Sequence, residues 1–136
     1  MSPQNRVAKW LGISMVAVLA ILAAGTAFAE AGALDGKQFA GEIGEKGKTK
    51  GDPELFVFTS EVFDPVYCHQ YGFHAAPYTT RKEGDKVLFE SEAKSDEQGT
   101  MQWKGTIQGS TLTGTVVWSK VGQAPVEYWF KGTLEK

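Results

Sequence analysis

Cysteine occurs once in the 136 residues, as Cys68, and histidine twice, as His69 and His74. One cysteine excludes a disulfide framework within the chain. An excess of either charge is missing too, with 14 Lys and Arg against 16 Asp and Glu. A polybasic nucleic-acid binder and a disordered acidic tail are thereby excluded, and neither zinc-finger spacing nor an RNA-binding signature is present. Beyond residues 10–25 the chain has no long apolar run, and beyond residue 30 no sustained helical period. Glycine, in contrast, is plentiful at 16 residues, and aromatics make up 12%. Together they point to a turn-rich β protein.

The N-terminal residues read as an address. Residues 1–9 carry Arg6 and Lys9 but no acid, residues 10–25 are WLGISMVAVLAILAAG, and Ala27-Phe28-Ala29 follows. Positive start, apolar stretch and A-x-A site predict a secretory signal helix over 1–29, cleaved after Ala29. About 16 apolar residues is short for a ~30 Å hydrocarbon core, so an uncleaved anchor is the lesser alternative and no membrane span is expected after cleavage. No cysteine follows the apolar stretch, so no lipid is attached there. The protein is expected in the periplasm or outside the cell. Residues 30–136 keep 12 basic against 16 acidic side chains, which favours solubility and disfavours phosphate backbones or anionic lipid.

Alternation dominates residues 30–136. Leu112, Gly114, Val116 and Trp118 share one face of 111–120, and Val126, Tyr128, Phe130, Gly132 and Leu134 one face of 126–134. Met101, Trp103, Gly105 and Ile107 do so in 100–108, Val87, Phe89, Ser91 and Ala93 in 86–94, and Phe39, Gly41 and Ile43 in 38–43. Period two with one apolar face predicts half-buried antiparallel strands. Leu55-Phe56-Val57-Phe58 is apolar on both faces and is expected to be covered on both sides. Short Gly-containing breaks (Gly84-Asp85, Gln98-Gly99, Gly109-Ser110, Gly122 to Pro125) predict hairpins. The expected fold is all-β: a single antiparallel up-and-down meander of about seven or eight strands over 30–136, closed as a small barrel so that no edge is left.

Four segments share the order apolar, polar or small, Gly, polar, apolar: Phe39 to Ile43, Trp103 to Ile107, Leu112 to Val116 and Phe130 to Leu134. A strand glycine is destabilising by about 0.5–1 kcal/mol relative to Ala. Inward glycines permit the bending that closes a small barrel, with large neighbours such as Trp103, Trp118 and Phe130 across the gaps. Making room for a ligand is the other reading. Valine at Gly114 or Gly132 is expected to destabilise by about 1–3 kcal/mol.

With a signal peptide, about a hundred further residues, this meander and a G-x-W-like aromatic density, the chain resembles small exported proteins of lipocalin-like, or calycin, architecture. Cys68-x-x-Tyr71-Gly-Phe73-x-x-Ala76-x-Tyr78 also resembles a segment of a group of exported bacterial proteins, which brings no activity with it. The lipocalin-like resemblance implies a small hydrophobic ligand held in a barrel mouth.

Residues 61–78, EVFDPVYCHQYGFHAAPY, break the alternation and hold both histidines, the cysteine and five aromatics. Pro65 and Pro77 argue against a continuous central strand, and loops carry function often. A lid or excursion at the open end of the barrel is expected. Cys68 reads as a small buried hydrophobe, as a metal ligand with His69 and His74, or as the source of an intermolecular disulfide. Trp129, on the polar face of its strand, is a candidate protein anchor or is covered by residues 30–36. The run 45–51, Gly- and Lys-rich, reads as a solvated hairpin tip and lacks phosphate-loop spacing.

Catalysis finds little support: no third group orients a Cys68–His74 pair, and the carboxylates read as solvated on outward faces. No cofactor is implied. The expected function is an exported, non-enzymatic binding protein of the cell envelope. Its small hydrophobic ligand would lie among Tyr67, Tyr71, Phe73, His74, Tyr78, Trp103, Trp118 and Tyr128. If the inward side chains fill the barrel instead, the alternative is a solid barrel acting through its surface. Trp129 or 61–78 would then meet a protein partner, as in small periplasmic inhibitor barrels, whose usual disulfide this chain cannot form.

Overall fold

The computed structural model describes residues 31–136; the expected signal helix and its cleavage site lie outside the described residues. Eight strands follow in order: β1 (Gln38–Glu45), β2 (Asp52–Thr59), β3 (Val62–Pro65), β4 (Ala76–Glu83), β5 (Lys86–Ser95), β6 (Gly99–Gln108), β7 (Thr111–Ser119) and β8 (Val126–Leu134). Each pairs antiparallel with its sequence neighbours, and β1 pairs with β8, closing the barrel. It is an up-and-down closed barrel, consistent with lipocalin-like architecture, and closure removes the sheet edges except beside the short β3–β4 seam.

The inward faces match the alternation. Phe39, Phe56, Phe58, Phe63, Phe89, Trp103 and Phe130 are all essentially inaccessible to solvent. Their rings touch: Phe63 lies 4.9 Å from Phe89, 5.0 Å from Phe58 and 5.1 Å from Trp103, and Phe130 lies 5.2 Å from Trp103. Such tilted and edge-on pairs add about 0.5–1.5 kcal/mol each beyond their burial. The lower barrel is therefore solid.

The glycines explain how so many rings fit. Gly41 sits directly opposite Gly132, and Gly105 opposite Gly114. A Cβ at Gly41 would collide with the Lys131 carbonyl oxygen, and one at Gly114 with the Lys104 carbonyl oxygen and the tip of the Phe130 ring. At Gly105 it would meet the Phe89 ring and, at 3.0 Å, Phe130. Phe130 thus lies across the gap left by a glycine pair, as expected, and Phe89 shares that role in place of Trp103 and Trp118.

Two expectations change. Leu55 and Val57 face outward and are only half-buried, so β2 is covered on its inner side alone. Val62–Pro65, expected within an irregular segment, is strand β3, joined to β2 by Ser60-Glu61. Both turn residues have positive φ, 50° and 65°, the left-handed conformation that a tight hairpin turn demands and that Asn-Gly supplies most easily. Asp35 holds this turn: its carboxylate accepts the Glu61 backbone N–H at 3.0 and 3.1 Å. Replacing Ser60-Glu61 with Asn-Gly is expected to raise stability by about 1 kcal/mol, measurable as a higher urea midpoint with unchanged slope. An unchanged or lower midpoint would show that the turn is not strained.

Candidate functional site

Strand ends divide the barrel into two unlike ends. At one, residues 31–36 close the bottom. Leu34 is buried, its N–H donates to the Tyr78 hydroxyl at 2.9 Å, and that hydroxyl donates to Asp35 at 2.8 Å. At the other end lie the β1–β2, β5–β6 and β7–β8 connections and a six-residue 3-10 helix, η1 (Val66–Tyr71). Here β3 stops at Pro65 and β4 begins only at Ala76. The segment between them takes up the missing upper wall, packing on β2 through η1 and reaching the β5–β6 turn, where Gly72 lies beside Ser95. Gly72 ends η1 in the left-handed conformation, and its N–H and that of Phe73 return to the His69 and Cys68 carbonyls.

This end opens into a cleft of about 840 Å³, within the range of small-molecule sites. Its wall carries Ile43, Met101, Phe73, Trp118 and Tyr128, with Tyr67 and Tyr71 of η1 on the rim. Trp118 is fixed by its indole N–H, which donates to the Gln98 carbonyl at 2.5 Å. One step further in along β2, β6 and β8, Phe56, Trp103 and Phe130 are buried in the solid interior and do not line the cleft. Tyr67 and Tyr71 are 50% and 60% exposed, so an aromatic rim meets solvent.

Of the eight residues expected to hold a ligand, the cleft gathers Tyr67, Tyr71, Phe73, Trp118 and Tyr128. Trp103 does not line the cleft: it is fully buried in the ring cluster, and its indole N–H has no hydrogen-bond partner. Tyr78 stands at the closed end, engaged with Leu34 and Asp35. His74 lines a separate, shallower hollow with Lys94, Ser95, Asp96 and Glu97. Trp129 is neither free nor covered by the N-terminal segment. Its indole N–H donates to the Lys48 carbonyl at 2.8 Å and its ring lies on Gly44, so the 45–51 tip folds back onto β8.

The sulfur and imidazoles point to different partners. His69 Nε2 is 2.5 Å from Asp64 Oδ1, the His69 and His74 ring centres are 5.4 Å apart, and Cys68 turns inward towards Glu54. Among the described residues no three His, Cys, Asp or Glu side chains converge as a metal set. Cys68 is 5% exposed, its thiol buried against Glu54.

Glu54 was legible neither as buried nor as part of the mouth. The carboxylates are not all solvated on outward faces: Glu54 points inward from β2 and is 3% exposed. Its Oε1 accepts the N–H groups of Leu55 at 2.9 Å and Tyr67 at 2.8 Å, and Oε2 accepts the Cys68 thiol at 3.3 Å. The carboxylate thereby pins η1 to the barrel wall. Burial first, and then the neighbouring Glu54 charge, push the Cys68 thiol far above its ordinary range. The thiol thus keeps the proton that it donates to Glu54.

Burial, and next the hydrogen bond to Asp35, push Tyr78 up to about 12 from 10; burial, then Glu45, raise Tyr128 as well. All three groups hold their protons more tightly folded than unfolded, so their stabilisation is complete at low pH. It is lost as pH rises past the values of the unfolded chain, near 9 for the thiol and 10 for the phenols. Urea midpoints are expected to fall progressively above pH 9, and less steeply between pH 10 and 12 in Tyr78→Phe. A flat profile over that window would contradict the burial of these protons.

The chain matches no known protein family, no curated protein and no solved structure.

Proposed function

We propose that the protein is an exported, non-enzymatic binding protein of the cell envelope that takes one small, largely hydrophobic ligand at the barrel mouth. The single observation that carries this reading is the 840 Å³ cleft at the open end of a barrel whose lower interior is solid. Apolar walls with a few polar groups, here Gln98, Gln70 and Glu54, are how such sites orient a ligand. Residues 1–29 support export, and the protonated Cys68 supports the absence of covalent chemistry. The likeness to lipocalin-like proteins rests on architecture.

A second reading has an observation of its own. The lower interior is filled, while Tyr67 and Tyr71 expose much of their rings on one rim, which suits a surface module that docks a protein partner. Native mass spectrometry of protein taken from its own envelope separates the two. A small-molecule adduct lost in Trp118→Ala supports the ligand reading. A polypeptide adduct lost in a Tyr67→Ala, Tyr71→Ala double variant supports the surface reading and overturns the first.

A further inference from the structure

Among the described residues the Glu54 carboxylate has no ion-pair partner. Among the described residues every ion pair lies elsewhere, and neither lysine of the cleft rim is paired with Glu54: Lys48 is 3.6 Å from Glu45, and Lys50 stands exposed on the outer hairpin. Buried carboxylates are ordinarily matched by a cation, because an unpaired charge in a dry environment is strongly unfavourable. Three donors point at this carboxylate, two backbone N–H groups at Oε1 and the Cys68 thiol, a weak donor, at Oε2.

Charge around the mouth sharpens the point. The rim lysines Lys48 and Lys50 are offset by Glu45 and Asp52 at the same rim, leaving Glu54 as the uncompensated charge of the lining. The other prominent groups there are the rings of Tyr67, Tyr71, Trp118 and Tyr128, whose faces attract cations. A buried anion beside aromatic faces, in a cavity of ligand size, is complementary to one kind of guest.

We propose that the ligand of the mouth is an organic cation, an ammonium head on an apolar body, with the head at Glu54 and the aromatic faces and the body over Met101 and Ile43. This rests on the mouth being the ligand site and adds the sign of the ligand's charge.

Isothermal titration of the signal-cleaved protein with three probes of equal chain length tests it: decyltrimethylammonium, decyl maltoside and decyl sulfate, each below its micelle concentration. The cation is expected to bind about tenfold tighter than the neutral probe, and the sulfate weakest. In Glu54→Gln the ratio of cation to neutral affinity should collapse towards one. Because Glu54 also pins η1, Tyr71→Leu and Tyr128→Leu supply a second measure: each keeps the Glu54 hydrogen bonds and should narrow the same ratio severalfold. Equal binding of cation and neutral probe, or tighter binding of the sulfate, overturns the cation while leaving the mouth as a ligand site. Failure of all three probes to bind overturns both.

Discussion

Replacing Phe63 with alanine is expected to lower stability by about 3–5 kcal/mol, the range for deleting a fully buried aromatic ring. Phe63 is 1% exposed and stands at the centre of the ring cluster, within 5.1 Å of Phe58, Phe89 and Trp103. Its strand is also the shortest. β3 has four residues, and only Val62 and Phe63 pair with β4. Few ladder hydrogen bonds hold that seam, so the ring supplies much of what keeps it shut. Urea denaturation gives the number, with Val121→Ala at a fully exposed position as the control that should change nothing. A loss below about 1 kcal/mol would mean that the cluster repacks freely and the interior is not solid.

The second large effect comes from adding atoms. Valine at Gly114 is expected to destabilise by about 3 kcal/mol, the upper end of overpacking costs, and more than valine at Gly132. A side chain at 114 meets the backbone of β6 on one side and the Phe130 ring on the other, and the backbone cannot yield without breaking the β6–β7 ladder. At 132 the nearest atoms are the Phe39 Cβ at 3.2 Å and the Ala40 oxygen at 3.3 Å, so a shift of a few tenths of an ångström makes room for alanine. The order of the two variants is the test, and the reverse order would mean that the glycine pairs do not set strand spacing.

How much of this was visible in the amino-acid order depends on whether a residue obeyed a local rule. Strands β5 to β8 alternate cleanly and are joined by glycine-bearing turns, so their extents and inward faces could be read directly. β3 was hidden because its turn is Ser60-Glu61, which carries neither Gly nor Asn; Asp35, distant in sequence, stabilises what the local residues disfavour. Glu54 was hidden for a related reason. It follows Pro53 and precedes four apolar residues, so nothing in the pattern assigns an acid to the inward face. Only the arrival of the Tyr67 and Cys68 donors from η1 makes the position tolerable. Tyr67, Tyr71, Trp118 and Tyr128 were found from aromatic density. That signal cannot separate a rim from a core, which is why Trp103 and Tyr78 were grouped with them. Their depth is decided by how far each strand extends past the ring layers, a property of closure rather than of any one segment.

Because β1 starts and β8 ends beside the turn at 31–36, the chain enters and leaves the barrel at its plugged pole. A tag fused after Lys136 is therefore carried on the side facing away from the opening. Immobilised on a sensor surface through a tag at the C-terminus, the molecule would stand with its aromatic rim outward, free to meet solutes from the bulk.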